Sequence, residues 1–167
     1  GRKPERFALS NSPVHAANAD LDGRTIIQRT SAGTRGALAA RNARPLLCAS
    51  LVVASATAAY LDRVAPRVDA TYVITGRFAD ALDTTGDEDL AVAEHIDTLR
   101  QHRSDRSDPH AVIQRVIAAP DTIHTRSLGH DHVHPDDIDY CTALDRFAFA
   151  MVANRTTDGV VLRAVTP

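Results

Sequence analysis

Hydroxyl-bearing residues and a glycine cluster between Thr30 and Thr34, after an apolar run at residues 24–28 and before an alanine-rich stretch. We predict a strand over residues 24–28 and a helix over residues 34–42, joined by this turn. The hydroxyls of Thr30, Ser31 and Thr34 and the unpaired N–H groups of the helix start, with Gly33 between them, would form a site for a phosphate or sulfonate. The structural alternative is an ordinary helix cap, because Ser and Thr are favoured caps in any protein.

Three consecutive carboxylates, Asp87, Glu88 and Asp89, follow Thr85. Thr85 and Glu88 have the spacing of a capping box, which predicts that a helix begins at residue 85. Mg²⁺ binds one or two carboxylates beside phosphate oxygens and keeps its waters elsewhere. Adjacent helical residues cannot all face one ion, so Glu88 or Asp89 is the candidate metal ligand. The helix dipole favours acidic residues at this position without any metal.

Asn11, Ser12 and Pro13 form a second polar group near the start of the chain. Ser12 followed by proline is the ordinary pattern of a capped helix start. The functional alternative is that the Asn11 amide holds a substrate oxygen.

Histidines alternate at residues 130, 132 and 134, with His124 nearby. On an extended segment the three imidazoles would share one side and could bind Zn²⁺, which makes a zinc-dependent hydrolase using residues His130 to His134 an alternative function. The segment also precedes Pro135 and Asp136, a helix-start pattern, so a surface loop is the simpler interpretation.

The composition indicates one globular domain over residues 1–167, with 44% apolar residues and 4% aromatic residues. The core should consist mainly of Ala, Val, Leu and Ile. A net charge of −2 and scarce aromatics disfavour nucleic-acid binding. Cys48 and Cys141 lack metal-ligand spacing and are interpreted as reduced, buried thiols of a cytoplasmic protein. The apolar run at residues 45–59 is shorter than the roughly 20 residues of a membrane span.

Short apolar runs alternate with helical patterns, which predicts an α/β fold with helices packed on a mixed β-sheet. The predicted strands are residues 24–28, 46–52, 71–75, 148–152 and 159–165, the last two joined by an Asp158-Gly159 turn. The predicted helices are residues 34–42, 55–64, 110–119 and 136–147, and one that begins at residue 85.

Four sequence elements in order resemble the 2-phosphosulfolactate phosphatase family. They are Ala-Leu-Ser-Asn-Ser-Pro at residues 8–13, Arg-Thr-Ile-Ile-Gln-Arg-Thr-Ser-Ala-Gly-Thr at 24–34, Ala-Ser-Leu-Val-Val-Ala-Ser-Ala at 49–56, and Gly-Asp-Glu-Asp-Leu-Ala-Val-Ala at 86–93. The resemblance is close from residue 7 to residue 99 and looser beyond.

This resemblance implies a Mg²⁺-dependent phosphomonoesterase of coenzyme M biosynthesis, acting on a small acid that carries a sulfonate and a phosphate, on the α/β fold of the family. The expected binding partner is this anionic phosphoester, and not a nucleic acid or a membrane. A homodimer is a further expectation. Glu88 or Asp89 would lie near the metal, and no catalytic nucleophile is assigned. Residues carried over as substrate-binding are Asn11, Ser12, Thr30, Ser31, Gly33, Thr34, Ser50 and Ser55.

Several positions depart from the family pattern. Ser10 replaces a glycine, and Ala32 and Val53 stand where asparagine is usual, so the identity of the ester stays open. The family also has an upstream strand and a Gly-Glu-Arg-Gly-Gly turn, whose tail Gly1-Arg2 resembles. The expectation is an N-terminally truncated domain with low activity, and the alternative is a catalytically inactive anion-binding paralogue or fragment.

Overall fold

The computed structural model describes residue 3 and residues 5–76, 85–102, 107–129, 132–157 and 159–167. Helices and one small sheet make up the secondary structure of these residues, consistent with the predicted α/β class. The helices are α1 (Pro13–Ala17), α2 (Gly33–Ala39), α3 (Ala54–Val64), α4 (Asp87–Arg100), α5 (Pro109–Ala118), α6 (Pro120–Arg126) and α7 (Asp137–Thr142), and the strands are β1 (Leu46–Leu47), β2 (Ala150–Thr156) and β3 (Gly159–Val165).

The sheet of the described residues is antiparallel throughout, in the order β1-β2-β3. Leu46 pairs with Ala153 between β1 and β2, and Ala150 pairs with Val165 between β2 and β3. The closing pair of strands is therefore confirmed, although β2 begins and ends later than predicted. The prediction of a mixed sheet is wrong for the described part of the chain. Asp158 of the predicted turn lies outside the described residues.

Two predicted strands are wrong, because residues 24–28 and 71–75 belong to no strand. The predicted strand at residues 46–52 is also mostly wrong: after Leu47 the chain leaves the sheet, and Leu51–Val53 forms a 3₁₀ turn that leads into α3. An apolar run becomes a strand only where another strand supplies its hydrogen bonds. Among the described residues, Leu46 and Leu47 pair with β2, and the Cys48 N–H adds one bond to the Met151 carbonyl at 3.0 Å.

The helix predictions are more accurate than the strand predictions, because the residues that favour a helix lie within one segment. Helices α2, α3 and α5 lie within a few residues of their predicted bounds. Helix α4 begins at Asp87 with Gly86 as N-cap at φ 66°, so the predicted capping box is wrong. A left-handed N-cap suits glycine, which has no Cβ to clash. Helix α7 ends at Thr142, earlier than predicted, and α6 was not predicted.

Small side chains let α3 and α4 pack closely. Ala54 and Ala58 of α3 meet Ile96 of α4 at the centre of the buried core. Burying an isoleucine side chain contributes about 1.5–3 kcal/mol, so Ile96 is a major stabilising contact between these helices. The expectation of a core rich in Ala, Val, Leu and Ile is confirmed.

Both cysteines are free thiols, as expected. Burial of Cys48 is only partial, and Cys141 is exposed, so the prediction of two buried thiols is wrong for Cys141. Within the described ranges, every helix is too short or too polar to cross a bilayer.

Candidate functional site

The hydroxyl groups of Thr30 and Thr34 form hydrogen bonds within the turn at residues 30–34. The Thr34 N–H donates to Thr30 Oγ1 at 2.9 Å, the Thr30 N–H donates to Thr34 Oγ1 at 3.0 Å, and the Thr34 hydroxyl donates to the Thr30 carbonyl at 2.9 Å. This reciprocal pattern closes the turn and orders the start of α2. Thr30 and Thr34 therefore have the structural role of a cap in this conformation, and Ser31 beside them is exposed.

Ser12 is the N-cap of α1, as its residue type and the following proline predicted. Its hydroxyl oxygen accepts from the His15 N–H at 3.1 Å, and the same hydroxyl donates to Asp137 Oδ1 at 2.6 Å. Only 2% of Ser12 is exposed. Asn11 is exposed, and its Oδ1 accepts from Gln28 at 3.3 Å. Ser12 therefore ties α1 to α7.

A cleft of about 720 Å³ lies beside α2, β1, α3 and α4 and is mostly apolar. Four of the predicted site residues line it: Gly33, Ser50, Glu88 and Asp89. The other six, Asn11, Ser12, Thr30, Ser31, Thr34 and Ser55, are not among its lining residues. Thr30 lies close to Gly33, because a Cβ added there would stand 3.6 Å from Thr30 Oγ1. The structure thus brings together part of the predicted site.

Glu88 brings a shielded carboxylate oxygen to the cleft. Its Oε2 is fully shielded from solvent and has no hydrogen-bond partner among the described residues. Burial raises the pKa of the Glu88 carboxyl, and the charges of Asp121, Asp89 and Asp87 raise it further, against a hydrogen bond to its own main chain. A shielded carboxylate surrounded by other carboxylates would be stabilised by a cation.

Asp89 accepts hydrogen bonds from Thr75 and Gly76. Its Oδ2 accepts from the N–H of Thr75 at 2.8 Å, from the Thr75 hydroxyl at 3.0 Å and from the N–H of Gly76 at 3.0 Å. These bonds hold residues 75–76 against the first turn of α4. A Cβ on Gly76 would stand 2.8 Å from Glu88 Oε1, so this glycine leaves room for that carboxylate. Glu88 and Asp89 thus both lie against Gly76.

Ser55 has a partner distant in sequence. Its N–H donates to Asp145 Oδ1 at 2.7 Å, and its hydroxyl donates to Asp145 Oδ2 at 2.6 Å. Asp145 therefore binds the first turn of α3 from outside the helix. Sequence reasoning missed this role, as it missed Asp137 and Asp121, because no local pattern joins these residues to their partners.

The histidine segment is only partly described, since His130 and Asp131 lie outside the described residues. His134 packs edge-on against His15 with ring centroids 5.5 Å apart, and its Nδ1 accepts from the Asp136 N–H at 3.2 Å. Across the described ranges, no three His, Cys, Asp or Glu side chains are grouped so that they could hold a metal ion. The described part of the segment gives the zinc alternative no support.

Comparison with known proteins identifies a family and two relatives that the chain resembles. The family model of 2-phosphosulpholactate phosphatase matches residues 1–156. A probable 2-phosphosulfolactate phosphatase of Thermus thermophilus is 48% identical over 59 residues, which are 35% of this chain and 25% of the relative. One of Bacillus subtilis is 30% identical over 90 residues, 54% of this chain and 37% of the relative.

The aligned stretches thus span about a quarter and about a third of these relatives' lengths. No solved structure matches the chain. The family match covers nearly the whole chain and includes the cleft with Ser50, Glu88 and Asp89. The chain therefore belongs to the 2-phosphosulpholactate phosphatase family.

Proposed function

We propose that this chain is part of a Mg²⁺-dependent phosphomonoester hydrolase that releases phosphate from a small sulfonated or carboxylated ester of the 2-phosphosulfolactate type. The observation that carries the proposal is the shielded, unpartnered Oε2 of Glu88 at the edge of the 720 Å³ cleft. Family membership supplies the reaction class.

The residues at the Gly76 end of the cleft are compatible with Mg²⁺. Glu88 has a free carboxylate oxygen there, and the neighbouring Asp89 uses only Oδ2 in the hydrogen bonds of the Thr75–Gly76 main chain. Mg²⁺ needs only one or two carboxylates when water and substrate phosphate complete its six positions. A pair of carboxylates therefore suits Mg²⁺ better than Zn²⁺, because zinc sites in proteins use three or four side chains. Bound there, Mg²⁺ would neutralise charge on the phosphoryl oxygens during displacement.

The chain's own residues would bind and orient the ester. The Ser50 hydroxyl lines the cleft and has no partner among the described residues, so it can donate to a phosphate or acid oxygen. Gly33 contributes another part of the cleft wall, where it presents main chain without a side chain. The mostly apolar lining would strengthen the electrostatic effect of these donors. The turn at residues 30–34 supports this wall through the internal bonds of Thr30 and Thr34.

The decisive experiment measures phosphate release from 2-phosphosulfolactate and from an aryl phosphate, with and without Mg²⁺. The variant Glu88→Gln should lose Mg²⁺-stimulated release by at least tenfold. The control Glu94→Gln lies on the same helix, where Glu94 is exposed and paired with Arg115, and should retain it.

A separate titration of Mn²⁺, followed by electron paramagnetic resonance, tests the metal site without relying on turnover. Binding that is lost in Glu88→Gln but kept in Glu94→Gln supports the site. Substrate-analogue binding without turnover would identify an inactive anion-binding relative instead. Release that is unaffected by Mg²⁺ and by Glu88→Gln would exclude the proposed mechanism.

A further inference from the structure

We propose that Arg44 binds the carboxylate of the ester and so determines which phosphate esters this chain accepts. The proposal rests on the function proposed above and adds to it a specificity-determining residue. An ester of the 2-phosphosulfolactate type carries acid groups beside its phosphate, whereas a simple aryl phosphate carries none. A residue that binds such an acid group therefore selects between these two classes of ester.

The charged side chains of the cleft show where a cation is needed. Among the described residues, the lining includes the carboxylates of Asp69, Glu88 and Asp89 and the guanidinium groups of Arg44 and Arg100. In the proposed function, Mg²⁺ compensates the carboxylates at the start of α4 together with the phosphate. The carboxylate of the ester then needs a cation of its own, because it loses hydration on entering a mostly apolar cleft.

Arg100 already has partners. Its Nε lies 3.7 Å from Asp62 Oδ1, and its Nη2 donates to the Val68 carbonyl at 2.8 Å. It is also the last residue of α4, and the helix rise places it about 18 Å from Glu88 along the axis. The acid groups of a three-carbon ester lie much closer than that to its phosphate. Arg100 therefore does not serve a small ester bound at Glu88.

Arg44 has a free donor edge, and its other hydrogen bonds hold the guanidinium in place. Its Nη1 donates to the Ala43 carbonyl at 2.7 Å and to the Arg41 carbonyl at 3.1 Å. Among the described residues, its Nε and Nη2 have no hydrogen-bond partner and the guanidinium has no ion pair. The N–H groups of Nε and Nη2 on this edge are parallel, which is the geometry that binds a carboxylate through two hydrogen bonds.

The part of the lining that carries Arg44 is connected by contacts to the start of α4. Arg44 follows α2 and precedes β1, and residues of both elements line the cleft. Gly36 of α2 packs against Thr75, since an added Cβ would overlap Thr75 Cγ2. The Thr75 hydroxyl in turn donates to Asp89 at 3.0 Å. An ester in the cleft can therefore meet the proposed metal ligands with its phosphate and Arg44 with its carboxylate.

Steady-state kinetics with Mg²⁺ and three phosphate esters tests the proposal. Phosphoglycolate carries a carboxylate, the phosphate ester of 2-hydroxyethanesulfonate carries a sulfonate, and phenyl phosphate carries neither. Arg44→Gln should lower kcat/KM for phosphoglycolate about tenfold or more, mainly through KM, because two charge-assisted hydrogen bonds are lost. The same variant should leave the other two esters nearly unaffected. Arg44→Lys should recover only part of the loss, because lysine is a point charge without the two-donor edge.

The matched control is Arg41→Gln. Arg41 is exposed, donates to the Leu38 carbonyl at 2.9 Å and is not among the residues that line the cleft. This variant should keep the kinetics of the unaltered chain with all three esters.

Calorimetry separates this proposal from the function on which it rests. If the unaltered chain hydrolyses none of the three esters, the proposed function fails, and phosphoglycolate with Mg²⁺ should still bind about tenfold more weakly to Arg44→Gln than to the unaltered chain. Equal binding by these two proteins, or no binding by the unaltered chain, would overturn the role of Arg44. An equal loss with phenyl phosphate would assign Arg44 to the phosphate instead, and a loss confined to the sulfonate ester would assign it to the sulfonate; either result contradicts the proposal.

Discussion

Asp121 of α6 places its negative charge near Glu88 of α4, although no sequence pattern connects the two residues. After burial, which is the largest cause, Asp121 is the strongest of the three carboxylates that raise the pKa of Glu88. Both side chains have a shielded oxygen without a partner among the described residues, Oε2 in Glu88 and Oδ2 in Asp121. In the absence of a cation this arrangement destabilises the fold, which is typical of functional sites.

Replacing Glu88 by Gln should stabilise the ligand-free protein while it weakens metal binding. The neutral amide removes the repulsion from Asp121, Asp89 and Asp87. We expect a gain of roughly 0.5 kcal/mol, at the low end of such substitutions because solvent screens part of the site. Urea unfolding without divalent cations measures this gain.

The pH dependence of this gain has a definite sign. A carboxyl whose pKa is raised in the folded state stabilises the fold below its unfolded value and loses that contribution as pH rises. The unperturbed value is 4.5. The advantage of Glu88→Gln should therefore be absent at acidic pH and grow as pH rises above 4.5. An advantage that shrinks with rising pH would contradict the assignment.

Replacing Asp89 by Ala should have the opposite effect on stability. Asp89 Oδ2 accepts three hydrogen bonds from Thr75 and Gly76, two of them from main-chain N–H groups. Hydrogen bonds to a charged group contribute about 1.5–3 kcal/mol, so we expect a loss in that range. Hydrogen exchange should accelerate at the amides of Thr75 and Gly76 in particular. Glu94→Ala, which removes an exposed ion pair, is the control and should leave those two amides protected.

The contrast between Glu88 and Asp89 shows which properties of the candidate site the sequence could predict. Both were predicted from residue type and from the helix start at this position, and α4 indeed begins beside them. Their different environments depend on residues 75–76 and 121, which approach through tertiary packing. Likewise, Ser12 was predicted as a cap, but its bond to Asp137 spans most of the chain.

The errors in the sheet have the same physical origin. Residues 24–28 have the composition of a strand, yet a strand also needs a partner edge, which composition does not reveal. Helices form from bonds within one segment, so the residues of each segment sufficed to locate α2, α3 and α5. Non-local pairing therefore limited both the fold and the site predictions.

His95 should make the fold sensitive to mild acid. Only 4% of this residue is exposed, its Nδ1 is 2.7 Å from Ser107 Oγ, and its Nε2 has no partner among the described residues. Burial lowers the pKa of His95 below 6.5, and the charge of Asp145 opposes that shift. Since the unfolded chain binds the proton more readily, stability is complete above pH 6.5 and falls as pH decreases below it.

The size of this effect is about 1.4 kcal/mol for each unit by which folding lowers the pKa. Urea midpoints measured between about pH 7.5 and 5.5 should show the decline, a range in which histidine is the main titrating side chain. His95→Gln should flatten the profile, whereas His124→Gln, at an exposed position of α6, should leave it unchanged. An equal slope in His95→Gln and the unaltered chain would show that another group is responsible.

Gly36 of α2 should tolerate alanine only when Thr75 loses its methyl group. A Cβ at Gly36 would overlap Thr75 Cγ2, and Thr75 cannot easily rotate because Asp89 holds its hydroxyl. Overpacking of this kind costs about 1–3 kcal/mol, more than the roughly 1 kcal/mol that alanine gains over glycine within a helix. Thr75→Ser removes the methyl group and keeps the hydroxyl bond to Asp89. The double variant should therefore regain most of the stability that Gly36→Ala loses, and the interaction energy from a double-mutant cycle should be at least about 1 kcal/mol.

Gly33→Ala is the matched control, because its Cβ would meet Thr30 Oγ1 at an ordinary 3.6 Å. Additive effects of Gly36→Ala and Thr75→Ser would show that α2 does not pack against residue 75 in solution.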